Sequence, residues 1–467
     1  MFDSQDDFEF THEWDQAEQM VVEAFELYEN GHMRQAMEKL DSAIQQGPEH
    51  GEWYFNMGLT LDGLEEYEKA IEFYEKALEC MPDDVEIINC LGVNYTRTAQ
   101  YDLALATFER IEKLDPVFEP CYCNRIITYT EMEQYDKAEQ MFYMAQQINA
   151  DCPLCYYNIG NSLFTQGEYE RAIWCWDKCS QLDPGHPQIH YRLAQACWVN
   201  GQGKRAREEF LIELRKSPSN LEILLDFGLF LLESGELESA REKFNRILEF
   251  NETFAPAHFY LGEVFRVQEN LIRASRCYTN AIKNDPKLVG PRFRLAEIEF
   301  TEGNTADVIE HLTAEFQLGV EDVDVLLAMG WMLLRSGRLT DASNCFMQAL
   351  NEGENNHEPF FGLAMSLAIH GDYEGALECI EQSVMLAPNR PELRLCAGWL
   401  NCKLQRWDQA EENVCECNQI HRNQEPYRTR CRQLQRAVRW KKRLQNWQEI
   451  VNTIRTGLFR SSAKDAE

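Results

Sequence analysis

Seven prolines set the frame for this chain. Pro48, Pro82, Pro116, Pro184, Pro218, Pro286 and Pro388 stand 34, 34, 68, 34, 68 and 102 residues apart, every interval a multiple of 34. A period of that length is the mark of one supersecondary unit stacked on copies of itself, and it overrides any domain count drawn from chain length. Counted from Ala17, twelve consecutive units without insertion end at Gln424. Their eighth position reads Ala24, Gly58, Gly92, Ile126, Gly160, Ala194, Gly228, Gly262, Ala296, Gly330, Ala364 and Gly398, small in every unit but that of Ile126. Their twentieth is alanine in every unit but one, which carries Val308.

Small residues at two fixed offsets belong where two helix axes come within ~8–10 Å of each other. Position twenty-four supplies bulk to fill the space between helices: Tyr74, Phe108, Phe142, Trp176, Phe210, Phe244, Tyr278 and Phe346. Short turns such as QGEY at 166–169 place a glycine where the first helix must close with positive φ. The proline ends the second helix because it cannot continue the hydrogen-bond ladder. The spacing therefore predicts pairs of antiparallel helices.

Gly, Ala, an aromatic and Pro at these offsets resemble the tetratricopeptide repeat, a helix–turn–helix unit of 34 residues. The resemblance spans 17–424, and residues 51–84 come close to its ideal pattern. It implies an all-α fold, a right-handed superhelical solenoid of twelve repeats plus a C-terminal helix. The division expected is an acidic segment at 1–16, the repeat array at 17–424, and a basic amphipathic capping helix with a short tail at 425–467. Residues 289–322 are the poorest copy, with Glu299 at an apolar position, Val308 for alanine, Glu315 at the usually small position twenty-seven and no closing proline. A bend or register defect is expected there.

The register absorbs most of the cysteine-rich stretch 151–184. Gly160, Ala172, Trp176, Cys179 and Pro184 are all scaffold positions, and only Trp174 and Cys175 fall at sites without a consensus. Cys121, Cys123, Cys152 and Cys155 invite a zinc reading. Cys121 and Cys155 both hold position three of neighbouring units, however, which puts them about 10 Å apart, against Zn–S bonds of ~2.3 Å. A metal-dependent or redox role for this cluster is therefore only a third reading, and no cofactor is implied. His186 and His190 have the i, i+4 spacing of a ligand pair, but Pro187 intervenes at the start of a helix. The GQGKRA run at 201–206 lacks the spacing and preceding strand of a phosphate loop. With no Ser–His–Asp set or HExxH motif, catalysis is not expected.

The formal charge of −33 disfavours wrapping nucleic acid. The first sixteen residues lack the basic and apolar regions of a secretory signal, and seventeen scattered cysteines read most simply as reduced thiols, so a cytoplasmic setting is expected. In this family the concave face is lined by residues of the first helix outside the consensus columns. On that basis Asn56, Asn124, Tyr157, Asn158, Asn161, Tyr191, Arg192 and Gln195 are the candidate groove residues, amides and aromatics suited to holding a peptide backbone. The groove partner expected is a neutral or basic protein segment and no small-molecule substrate. The two-carboxylate clamp of chaperone-binding relatives is missing: position two of units two to six reads Glu52, Glu86, Pro120, Leu154 and Gln188.

The C-terminal segment differs. Eight basic residues and no acid lie between Arg428 and Arg443, and Leu444, Trp447, Val451, Ile454 and Leu458 follow at helical spacing. Arg436, Arg439, Lys441, Lys442 and Arg443 are the residues through which this tail could meet an acidic partner or an anionic surface, while its apolar face could cap the last repeat. The chain thus reads as a non-catalytic interaction scaffold or adaptor. The alternative is a regulatory or substrate-binding subunit of an enzyme, such as a glycosyltransferase, whose catalytic domain lies on another chain.

Overall fold

The period is carried by the helix starts. The computed structural model describes residues 6–46, 50–353, 356–420, 429–443, 445 and 448. Among these residues there is no strand; twenty-four α-helices run from α1 (Asp6–Glu29) and α2 (Met33–Gln46) to α23 (Pro391–Lys403) and α24 (Trp407–Ile420), and a further helical stretch covers 429–443. Each even-numbered helix, from α2 at Met33 to α24 at Trp407, begins 34 residues after the one before it. The odd helices are the first members of the pairs, called A, and the even helices the second, called B. The fold is all-α and repetitive, as the spacing predicts. Helix α1 starts eleven residues ahead of Ala17, so the acidic N-terminal segment is largely helical from Asp6.

The chain divides into two compact units, Met1–Phe227 and Gly228–Glu467. Within each, an A helix packs on its own B helix, and that B helix on the next A helix.

The pair is locked by a ring on a glycine. A Cβ added to Gly58 would meet the Tyr74 ring at 2.5 Å, to Gly92 the Phe108 ring at 2.6 Å and to Gly160 the Trp176 ring at 2.4 Å. In the second unit Gly228, Gly262 and Gly330 stand in the same relation to Phe244, Tyr278 and Phe346. Position eight is therefore small because the position-twenty-four ring lies on it, and not only because two backbones approach. Where position twenty-four is Leu40, Leu312 or Ile380, position eight is alanine. Ile126 fills the pocket itself, and the Phe142 ring packs edge-on against Tyr156 at 5.4 Å.

The turn inside every pair has one residue in the left-handed region. Glycine holds it at Gly31, Gly167, Gly201, Gly235, Gly303, Gly337 and Gly371. Glu65, Ala99, Glu133, Glu269 and Gln405 adopt the same conformation with φ of 57–62°. The geometry is invariant and the side chain is not, so five turns carry the strain of a Cβ at positive φ.

Residues 289–322 keep the register that the irregular sequence put in question. Helix α18 (Thr305–Phe316) starts in phase and α20 (Leu339–Glu352) follows 34 residues later, but α18 is 12 residues long where the other B helices have 14. The defect is a shortened helix. The fully buried carboxylate of Glu315 accepts the N–H of Gly290 at the mouth of α17 (Pro291–Glu302), and burial pushes its pKa up against the opposing pull of that bond. Glu299 lies 3.5 Å from His311 Nε2.

Residues 429–443 are helical and lie on α24. Cys431 and Val438 are buried, Leu434 packs against Val414 and Cys417, and Lys442 and Arg439 reach Glu411, each at 3.5 Å. Lys442 also pairs with Asp408. The apolar stripe expected at Leu444, Trp447, Val451, Ile454 and Leu458 lies outside the described residues.

The packing, the turns and the buried acid each make a prediction. Gly160→Ala should destabilise the chain by about 1–3 kcal/mol through overpacking, despite gaining about 1 kcal/mol of helix propensity, whereas Ala99→Gly should stabilise it by up to about 1 kcal/mol; urea midpoints check both. Glu315 has a folded pKa above its unfolded one, so its contribution is fully present below about pH 4 and is lost as the pH rises through the raised value. Glu315→Gln should therefore gain stability relative to the natural chain between pH 4 and 7, measured as the difference in urea midpoint across that range.

Candidate partner-binding surface

Positions two, five, six and nine of the A helices put polar side chains beside one another from repeat to repeat, since neighbouring turns of stacked helices meet. In the first unit this builds a half-buried strip. Asn124 Nδ2, on α7 (Glu119–Glu131), donates to Asn89 Oδ1 on α5 (Val85–Arg97) at 2.9 Å, and Asn158 Nδ2, on α9 (Pro153–Thr165), donates to the carbonyl of Cys123 at 3.2 Å. On α11 (Ile189–Val199), Tyr191 Oη donates to Asp226 Oδ2 at 2.7 Å and to Glu222 Oε1 at 3.3 Å, while Gln195 Nε2 donates to the same Asp226 oxygen at 2.9 Å. Arg192 Nη1 donates to Gln195 Oε1 at 3.3 Å. Burial and the bond to Asp226 push the Tyr191 pKa far up, so its hydroxyl stays a donor.

The candidate groove residues thus divide. Asn161, Arg192 and Gln195 are half-exposed and accessible along the strip. Asn158 and Tyr191 are buried and hold neighbouring repeats together. Tyr157 stacks near the His186 ring at 4.3 Å, and Asn56 sits half-buried beside Phe25, Tyr28 and Leu59. Sequence reading stopped at the sixth unit and so passed over Glu222 and Asp226, and within the third unit it passed over Asn89. It also missed the second unit's version of the strip, where Glu263 pairs with Arg266 at 2.7 Å and Arg294 at 3.1 Å, and Arg294 with Glu297 at 2.7 Å. Following columns two, five, six, nine and twelve through every repeat would have found them.

Toward the C-terminal end the same columns turn apolar. Phe361, Met365, Leu395, Cys396 and Trp399 line a cleft of 580 Å³ that is closed on one side by Leu434 and Ala437 of the terminal helical stretch. Of the basic tail residues, Arg439 and Lys442 are engaged with acids of α24, and Arg436, Lys441 and Arg443 are exposed.

The histidines of HPQIH go to separate partners: His190 Nδ1 lies 2.7 Å from Glu209 Oε2, and His186 Nδ1 is 3.0 Å from its neighbour's carbonyl. Burial pushes the thiols of Cys121, Cys175 and Cys179 up to about 12, as befits inert packing groups. The cysteine geometry differs from expectation. Cys121 turns toward the carbonyl of Phe108, and it is Cys123, two positions further on, that meets Cys155, with Cα atoms 5.2 Å apart and a disulfide between them. The pairing is diagonal because the first turn of α9 lies beside the second turn of α7. Fifteen cysteines remain free, so the expectation that all are reduced is corrected at this one pair.

Family models for the tetratricopeptide repeat match residues 51–84, 160–201 and 198–258. Residues of this chain are 31% identical over 91 positions to a UDP-N-acetylglucosamine–peptide N-acetylglucosaminyltransferase of Giardia intestinalis, a match covering 20% of this chain and 6% of that protein. The chain therefore spans only a small part of the curated relative's length. Among solved structures, Cut9 in the APC/C hetero-tetramer Cut9–Hcn1 superposes with a TM-score of 0.37 at 12% identity, covering 90% of this chain and 96% of that one. Yeast Tom70 superposes with 0.36 at 14%, covering 94% and 99%.

The Tyr191 hydroxyl donates to a carboxylate in a nearly dry setting, so Tyr191→Phe should cost about 1.5 kcal/mol, the lower end for a hydrogen bond to a charged group, read from the urea midpoint of the full chain.

Proposed function

Because residues 51–84 and 160–258 are tetratricopeptide repeats, we propose that this chain is a protein-interaction scaffold whose A-helix strip receives a segment of a partner protein. One observation carries the reading. Amides and carboxylates, with Asn161, Arg192 and Gln195 half-exposed and Glu222 and Asp226 alongside, form a continuous hydrogen-bonding surface that matches an extended backbone and favours amide or cationic side chains. The net charge of −33 favours the same neutral or basic partners. In this reading the array is 17–424, the segment 429–443 caps its last repeat, and Arg436, Lys441 and Arg443 stay free for an acidic partner or an anionic surface. The chain performs no catalysis of its own. A cytoplasmic setting suits the fifteen free thiols, and no helix among the described residues is long and apolar enough to cross a membrane.

The 91-residue match favours a second reading, a subunit that presents substrates to a glycosyltransferase carried on another chain. One capture experiment addresses both. The full chain, and a folded Asn161→Ala, Arg192→Ala, Gln195→Ala variant, are used to retain proteins from native lysate at ~50 and ~300 mM salt, a range over which screening changes strongly. A partner lost by the variant and weakened by salt supports the strip. Retention unchanged by the variant but abolished by Arg436→Ala, Lys441→Ala, Arg443→Ala moves recognition to the tail. A glycosyltransferase among the strip-dependent partners selects the second reading.

A further inference from the structure

Four electron-rich side chains converge where α7 meets α9. Cys123 comes from the second turn of α7, Glu119 from its first residue, Cys155 from the first turn of α9 and Cys152 from the N-cap of α9, where its sulfur accepts the Cys155 N–H at 3.3 Å. Their ligating atoms all lie within 4.8 Å of one another, and the three sulfurs are buried. Cys152 Sγ is 3.7 Å from Cys123 Sγ, close to the ~3.8 Å that separates two sulfurs at 2.3 Å from one tetrahedral ion. Glu119 Oε1 approaches Cys123 and Cys155 Sγ to 2.7 and 2.8 Å. In the disulfide those two sulfurs carry no hydrogen, so no hydrogen bond accounts for a carboxylate placed against them. Lone pairs gathered in this way ask for a cation.

We propose that Glu119, Cys123, Cys152 and Cys155 form a site for one Zn²⁺ ion, open when the Cys123–Cys155 disulfide is reduced. Three thiolates and a carboxylate are four ligands of types that zinc binds, the carboxylate standing where closed structural sites carry a histidine or a fourth cysteine. The Cys155 N–H on Cys152 supplies the outer-shell bond that orients a ligand. Disulfide and ion compete for the same two sulfurs. Reduction cleaves the S–S bond to two thiols, with an added thiol oxidised to its own disulfide and supplying the two protons, or with a phosphine oxidised to its oxide, water supplying both the oxygen and the two protons. Zn²⁺ then displaces the protons of Cys123, Cys152 and Cys155 to solvent. The ion would tie two neighbouring A helices at the register step from the fourth repeat to the fifth, next to Asn158, whose amide already bonds the Cys123 carbonyl. Metal binding would thus set the geometry at one step within the polar strip.

The test uses the full chain. Protein reduced with a phosphine and protein kept oxidised are each exposed to ZnCl₂, separated from free metal and analysed for zinc. Cysteine accessibility is mapped by iodoacetamide and peptide mass spectrometry. The reduced protein should retain one ion per chain and the oxidised protein none. Zinc should slow alkylation of Cys123, Cys152 and Cys155 by about tenfold or more while exposed Cys80 reacts unchanged. Cys152→Ser removes a ligand and should weaken zinc binding by more than the ~10–100-fold that losing an outer-shell partner costs, and the paired Cys417→Ser, Cys431→Ser variant should leave it unchanged. Absence of zinc from the reduced chain, or protection that falls on other cysteines, overturns the proposal. If Cys152→Ser does not fold, the alkylation map of the natural chain decides.

Discussion

Half of the repeats depend on one contact, an aromatic ring at position twenty-four set against a missing side chain at position eight. With the ring seated, helices A and B close on each other at a distance that a Cβ would forbid, as the 2.4 Å approach at Gly160 shows. Six repeats pair the ring with glycine and Leu40, Leu312 and Ile380 stand opposite alanine, while Phe210 opposite Ala194 and Val414 opposite Gly398 show that the two columns vary together only in part. Trp176 adds a polar tie, its Nε1 donating to the Tyr157 carbonyl at 3.1 Å. Interior packing of this density leaves little freedom in the pair, so each repeat hands its neighbour the same surface to stack on.

The second constraint is the left-handed residue in the turn. Its conformation is common to glycine and non-glycine repeats, so the pair closes by packing even where the local preference opposes it. Tolerance of the same kind explains residues 289–322. The register survives Val308 and a buried Glu315 because the pair still closes; what yields is the last turn of α18, where the carboxylate turns to the N-terminus of α17. An acid near a helix C-terminus is opposed by the helix dipole, and one at a helix N-terminus is favoured by it.

Much of the candidate surface was legible because it inherits the period. Asn124, Asn158 and Arg192 share position six, and stacking places equal positions side by side. What the columns could not reveal is which of these side chains face one another closely enough to be consumed as structural bonds. Tyr191 and Asn158 are spent in that way, and Asn161 and Gln195 are less so. The cysteine cluster escaped for a related reason: reasoning by equal positions set Cys121 against Cys155, while the offset between adjacent A helices sets Cys123 there instead.

By itself the sequence determined the fold class, the 34-residue register, the helix pairs and the columns that make their core, since periodic hydrophobicity, glycine and proline act through local geometry that repeats with the chain. It also determined which positions could line a binding face. Only the tertiary structure decided the diagonal meeting of Glu119, Cys123, Cys152 and Cys155, the sharing of Asp226 by Tyr191 and Gln195, and the seating of Cys431 and Val438 over α24. Those contacts join different helices across a stagger of a few ångströms, a quantity fixed by how side chains interdigitate and invisible in the spacing of residues along one strand of text.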